Sequence, residues 1–193
     1  MSNKKRITEI FQESIAAKKQ TLECNSTAIL KAIELITKTI KQNGKIIIFG
    51  NGGSAADSQH MAAEFIGRFQ RERRSLPAIA LTTDSSALTA LGNDYGFDIV
   101  FARQLEGLGR KGDAAIAIST SGNSKNVVEA VKVAKSLGIK SIGLLGGTGG
   151  NLAPLVDIKI IVPSKVTARI QESHICIIHT ICELVEEQVA KHM

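Results

Sequence analysis

A chain of 193 residues accommodates one domain with a substantial core and is short for two. Hydrophobic residues make up 44% and charged residues 22%, and no apolar run approaches the ~18 residues that a membrane-spanning helix needs. The net charge of +6 suits anionic small molecules as well as nucleic acid, and one Tyr with no Trp leaves single strands without an aromatic stacking platform.

The chain opens with the basic run Met1 to Arg6, but Thr8, Glu9, Gln12 and Glu13 stand where a signal peptide carries its apolar core. A cytoplasmic protein is expected. Residues 1–43 read as a helical extension of two helices. Ile7, Ile10, Phe11 and Ile15 share one helical face, as do Ile29, Ile33, Ile36 and Ile40. Asn25-Ser26-Thr27 supplies a break and a cap between them, and Asn43-Gly44 a stop.

From residue 44 onward, short β-rich runs alternate with helix-like segments: 46–49, 78–81, 114–118, 141–145 and 158–162. Continuous apolar strands in such alternation predict a five-stranded parallel sheet covered on both faces, in a single doubly wound α/β domain over 44–193. The last helix, about 167–191, is apolar nearly all round between Ile175 and Val185, which predicts burial, with this helix and the N-terminal extension 1–43 packing on neighbouring subunits. The three cysteines form no CxxC pair and argue against a disulfide framework; Cys176 and Cys182, among isoleucines, read as core residues. The basic cluster Arg68, Arg71, Arg73 and Arg74 is interrupted by Glu72.

Two strand-to-helix turns have the chemistry of anion sites. In Phe49-Gly50-Asn51-Gly52-Gly53-Ser54 the glycines let the backbone approach a ligand, without the lysine or spacing of a P-loop. A tight structural turn would use similar residues. In Ser119-Thr120-Ser121-Gly122-Asn123-Ser124, four hydroxyls at a helix N-terminus suit a phosphate monoester, whereas capping alone needs one. His60 and Glu64 share a helix face, a spacing that suits a metal or a carboxylate base beside an imidazole. Asn93-Asp94-Tyr95-Gly96 reads as a turn. In the terminal helix Gln171, Glu172, His174 and His179 are polar and need partners. Spacing does not distinguish His174 from His179.

Taken in order, Gly50 to Ser54, His60 to Glu64, Gly92-Asn93-Asp94, Ser119 to Ser124, and Ala168 to Glu172 with His174 and His179 resemble the phosphoheptose isomerases of the sugar-isomerase (SIS) domain superfamily. The resemblance implies a homotetramer with active sites between subunits. It implies substrate contacts from Asn51, Gly52, Gly53, Glu64, Asn93, Asp94, Ser119, Thr120, Ser121, Ser124 and Gln171. It also implies Glu64 and His179 as the acid/base pair, and one zinc ion held by His60, Glu64, Gln171 and His179. The expected reaction converts sedoheptulose 7-phosphate to D-glycero-D-manno-heptose 7-phosphate through a cis-enediol, the first step toward ADP-heptose for lipopolysaccharide. Glu64 would carry the carbon proton and His179 the oxygen protons, although a carboxylate bound tightly to zinc is a poorer base.

The nearest rival is a regulator resembling the DnaA initiator-associating protein, which lacks the acid and the histidine that stand here at Glu64 and His179. A sugar-phosphate sensor joined to DNA-binding helices would need an extra domain that 193 residues do not accommodate.

Overall fold

The computed structural model describes residues 2–190. Its elements are α1 (Asn3–Lys41), β1 (Ile46–Gly50), α2 (Gly53–Ile66), β2 (Ala78–Ala80), α3 (Ser85–Tyr95), α4 (Val100–Leu108), β3 (Ala114–Ser119), α5 (Lys125–Ser136), β4 (Lys140–Gly146), β5 (Ile158–Val162) and α6 (Thr167–Ala190). All five strands are parallel, in the order β2-β1-β3-β4-β5. The expected doubly wound α/β fold is therefore present, with each strand within two residues of its sequence-derived bounds.

Strand side chains alternate between faces, so each strand feeds two cores. Ile46 and Ile48 of β1 and Ile116 and Ile118 of β3 join α1, α2 and α6 on one face. Ile47, Phe49, Ala115 and Ala117 join α4 and α5 on the other. Ile33, Ile36 and Ile40 of α1 and Ile178, Ile181 and Val185 of α6 are all at most 1% exposed, so the second half of α1 belongs to the same core as the sheet. α6 is buried as its composition predicts; the expected terminus at Lys191 lies outside the described residues.

Two expectations for the N-terminal region and one for a cysteine are corrected. Residues 3–41 form one helix, not two, about 58 Å long at ~1.5 Å per residue. Asn25 does not break it, because its side chain is committed elsewhere. Nδ2 donates to Ile161 O (2.9 Å) and Thr21 O (3.1 Å), and Oδ1 accepts from Ile161 N (2.9 Å). These bonds satisfy the outward backbone groups of edge strand β5, so tertiary pairing overrides the weak helix propensity of Asn. The stop is where expected, with Asn43 itself taking φ 61°. Cys182 is in the core, but Cys176 is exposed, on the side of α6 that faces a groove against α1.

Candidate active site

The two candidate ligand turns lie at the carboxyl ends of β1 and β3, the neighbouring strands at which the order of the open parallel sheet switches. After β1, Gly52 adopts φ +55° with open space where a Cβ would stand. Gly53 then starts α2 against Gln171 of α6: a methyl group at 53 would overlap Gln171 Nε2. The glycines of this turn thus serve both a left-handed backbone and a close side-chain approach.

After β3 comes the hydroxyl-rich turn. Ser124 precedes α5 but does not cap it; its Oγ lies 3.1 Å from Ser119 Oγ. Ser121 Oγ accepts from Asn123 N (3.1 Å), a bond within the loop. The hydroxyls are thus not spent on capping the helix, which leaves the N-terminal N–H groups of α5 facing the same space. Asn51 and Asn126 exchange reciprocal amide bonds of 2.8 and 2.9 Å, fixing the first turn to the helix that follows the second. Beyond Thr120 and Ser121 opens a cavity of about 580 Å³, walled also by Thr148, Ser164, Lys165 and Thr167. Lys165 escaped the sequence reading; its signal is a lysine just past the end of β5.

α2 and α6 lie side by side, with Gly53 against Gln171 and His60 against His179. Advancing seven residues on one helix and eight on the other keeps the two in step, so Gln171 and His179 meet different levels of α2, ~12 Å apart along the axis. His60 Nε2 and His179 Nε2 are 2.8 Å apart, and Glu64 Oε1 is 3.5 Å from His60 Nε2. The Phe69 ring lies against His179 at 5.5 Å. His60, Glu64 and His179 are therefore brought together. Asp57 joins them from one turn earlier on α2; its Oδ2 is buried without a partner. Burial pushes the Asp57 carboxyl above its usual value, opposed by the nearby His60 and His179. The i, i+3, i+7 run Asp57, His60, Glu64 is the signal that would have found it.

The structure separates the two histidines. His174 is fully buried, with Nε2 3.0 Å from Leu145 O, and burial holds its imidazole down at about 4, with that hydrogen bond opposing. It is a core residue. Glu172 accepts from Arg169 Nη2 (2.6 Å) within α6, and Arg169 Nη1 donates to Ile10 O, so Arg169, steadied by Glu172, ties α6 to α1. Cys182, beside Glu64, is pushed up to about 12 by burial and by that carboxylate, and remains a neutral thiol.

Asn93 and Asp94 do not form the turn their sequence suggested. They end α3, exposed, and Asn93 Nδ2 donates to Asp94 Oδ1 (2.8 Å); neither bonds another candidate residue. Gly96, with φ +89°, supplies the actual chain reversal.

Two imidazoles and a carboxylate are ligands of the kind zinc takes, whereas Gln171 lies against Gly53, about two turns of α2 before His60. The 2.8 Å between the imidazoles is nevertheless a hydrogen-bond spacing, and among the described residues no group of three His, Cys, Asp or Glu has metal-holding geometry. No helix among them is long and apolar enough to cross a membrane.

The model of the SIS domain matches residues 10–146. The phosphoheptose isomerase of Aliarcobacter butzleri is 54% identical over 93% of both chains. The solved structure of phosphoheptose isomerase GmhA from Neisseria gonorrhoeae superposes with a TM-score of 0.92 at 46% identity, covering 96% of this chain and all of that one. That of a phosphoheptose isomerase from Francisella tularensis gives 0.94 at 39% identity, covering 97% and 100%. The chain belongs to the SIS-domain proteins and, among them, to the phosphoheptose isomerase family.

Proposed function

We propose that the chain interconverts sedoheptulose 7-phosphate and D-glycero-D-manno-heptose 7-phosphate in the cytoplasm, as the entry to activated heptose for bacterial surface polysaccharide. The observation that carries this reading is one ligand edge with two chemistries. A hydroxyl-rich turn for a phosphate ester follows β3, and Glu64 with two imidazoles stands beyond β1. The Asn51–Asn126 pair ties the turn after β1, from which the helix carrying Glu64 starts, to the first turn of α5. Ketose–aldose isomerisation needs that combination: an anchor at one end of an open-chain sugar and proton carriers at the other.

In this reading Ser119, Thr120, Ser121 and Ser124 hold the phosphate, and Asn51, Gly52, Gly53 and Gln171 line the path of the chain. Glu64 removes the proton from the carbon beside the carbonyl and returns it to the neighbouring carbon. His179 moves protons between the two oxygens, with its Nε2 at hydrogen-bond distance (2.8 Å) from His60 Nε2. Zinc, held by His60, Glu64, Gln171 and His179, would supply Lewis-acid polarisation of the carbonyl.

A homotetramer with sites between subunits is part of the proposal. Ile7, Phe11, Ile15, Leu22 and Leu30 leave α1 with an apolar stripe in which each side chain is at least 55% exposed. Exposed Asn93 and Asp94 are then free to serve a site completed by a second subunit.

The test is turnover of sedoheptulose 7-phosphate by purified protein, with added zinc and with a chelator, against Glu64→Gln. Conversion that disappears in the variant supports the assignment, and near-normal turnover by the variant refutes it. No conversion by a folded protein that still binds the sugar phosphate would favour the regulatory reading.

A further inference from the structure

One buried ion pair ties together the two helices that carry Glu64 and His179. Arg73 lies in the segment between α2 and β2, and its guanidinium turns back onto the end of α2. Nη2 donates to Glu64 O (2.8 Å), and Nη1 donates to Phe65 O, Gly67 O and Arg74 O (3.0 Å each). The last carbonyls of a helix have no partner within it, so Arg73 caps α2 at the residue proposed as the base. Its Nε lies 3.1 Å from Glu186 Oε1 on α6, a charge contact without hydrogen-bond alignment, with both side chains 1% exposed.

Glu186 holds the other side. Its carboxylate accepts from Phe69 N (2.9 Å), Gln70 N (2.8 Å) and Arg71 N (2.8 Å). Phe69 is the residue whose ring packs on His179. Burial alone would push the Glu186 carboxyl up, but the three N–H groups and Arg73 hold it below its usual value. A buried ion pair adds little net stability over apolar packing, so stability alone is a weak reason for one here. What it does supply is direction. The same pair fixes the backbone of Glu64 and the ring against His179.

We propose that Arg73 and Glu186 are positioning residues that set the geometry of the acid/base pair. The inference rests on the reading that Glu64 and His179 move the protons. Misplacement by about 1 Å costs an enzyme on the order of 10²-fold in rate. The phosphate turn, on β3 and α5, touches neither residue.

The experiment measures kcat and KM for sedoheptulose 7-phosphate, per folded site, in Arg73→Met, Arg73→Lys, Phe69→Leu, Glu187→Gln and Glu64→Gln. Arg73→Met is expected to lower kcat at least about tenfold with KM within about threefold. Arg73→Lys, which keeps the charge and part of the cap, recovers some of that loss. Glu187→Gln removes only the exposed bond to Arg71 and leaves both constants unchanged. Should Arg73→Met not fold, Phe69→Leu decides, because it keeps the backbone bonds to Glu186 and removes the ring from His179; its kcat is expected to fall at constant KM. Folded Arg73→Met, or in its place Phe69→Leu, with kcat within about twofold of the parent, or with the loss carried by KM, overturns the proposal. Inactive Glu64→Gln alongside that result sinks the clamp alone. Active Glu64→Gln sinks the acid/base reading and the clamp with it.

Discussion

Replacing Asn25 by Ala removes a side chain 6% exposed whose amide completes the edge of the sheet. The loss strands Ile161 N–H and Ile161 C=O, each bonded to Asn25 at 2.9 Å. A backbone group left without a partner costs about 1–3 kcal/mol when buried, and these part-buried bonds belong at the lower end. Two such groups, less roughly 0.5 kcal/mol regained from the better helix propensity of Ala, give a net loss of about 2 kcal/mol. In a domain of this size 1 kcal/mol moves Tm by about 2–4 °C, so a drop of about 4–8 °C is expected. The assay is thermal unfolding by circular dichroism at one fixed protein concentration, since association raises apparent stability. Thr27→Ala, an exposed change two residues on, should leave Tm within about 2 °C. An Asn25→Ala protein that melts as close to the parent as this control would refute the claim that the amide closes the β5 edge.

Acid should reveal His174. Its folded value near 4 lies below the ordinary 6.5, so the unfolded chain takes up the proton first as pH falls. The stability is fully present above about pH 6.5 and is lost toward pH 4, amounting to about 2 kcal/mol between pH 7 and 5. Urea unfolding at the two pH values should show a smaller loss in His174→Gln; equal losses would contradict the buried neutral imidazole. Gly53→Ala places a methyl on Gln171 Nε2, the movable end of a side chain, so the fold should survive. Its expected effect is at least about tenfold lower turnover of sedoheptulose 7-phosphate with Tm within a few degrees, and full activity would show that Gln171 need not sit there. Leu22→Glu with Leu30→Glu charges the apolar stripe of α1 and should shift the protein to smaller assemblies in analytical ultracentrifugation; an unchanged mass would place the subunit contacts elsewhere.

The strands were legible because fully buried parallel strands are short apolar runs whose pattern is local. The two candidate turns were legible as strand-to-helix turns for a related reason: their glycines and hydroxyl residues are local signals at the turn itself. His60 and Glu64 were paired by helix periodicity alone, and the same periodicity should have added Asp57. Asn25 misled because a residue that favours caps in isolation found its partners 136 positions away. Cys176 misled because α6 presents that side to a groove, which its composition does not record.

The amino-acid order by itself determined the sheet, its two covering layers and the chemistry of each turn, since these follow from short-range pattern and residue type. Only the tertiary structure decided which histidine meets His60. His174 and His179 are five residues apart on one helix, about 140° apart around its axis at 3.6 residues per turn. One is driven under β4 and the other toward α2, and that choice depends on how α6 docks against the sheet. The Arg73–Glu186 clamp was equally hidden, because its members are 113 residues apart and meet only when α2 and α6 pack side by side.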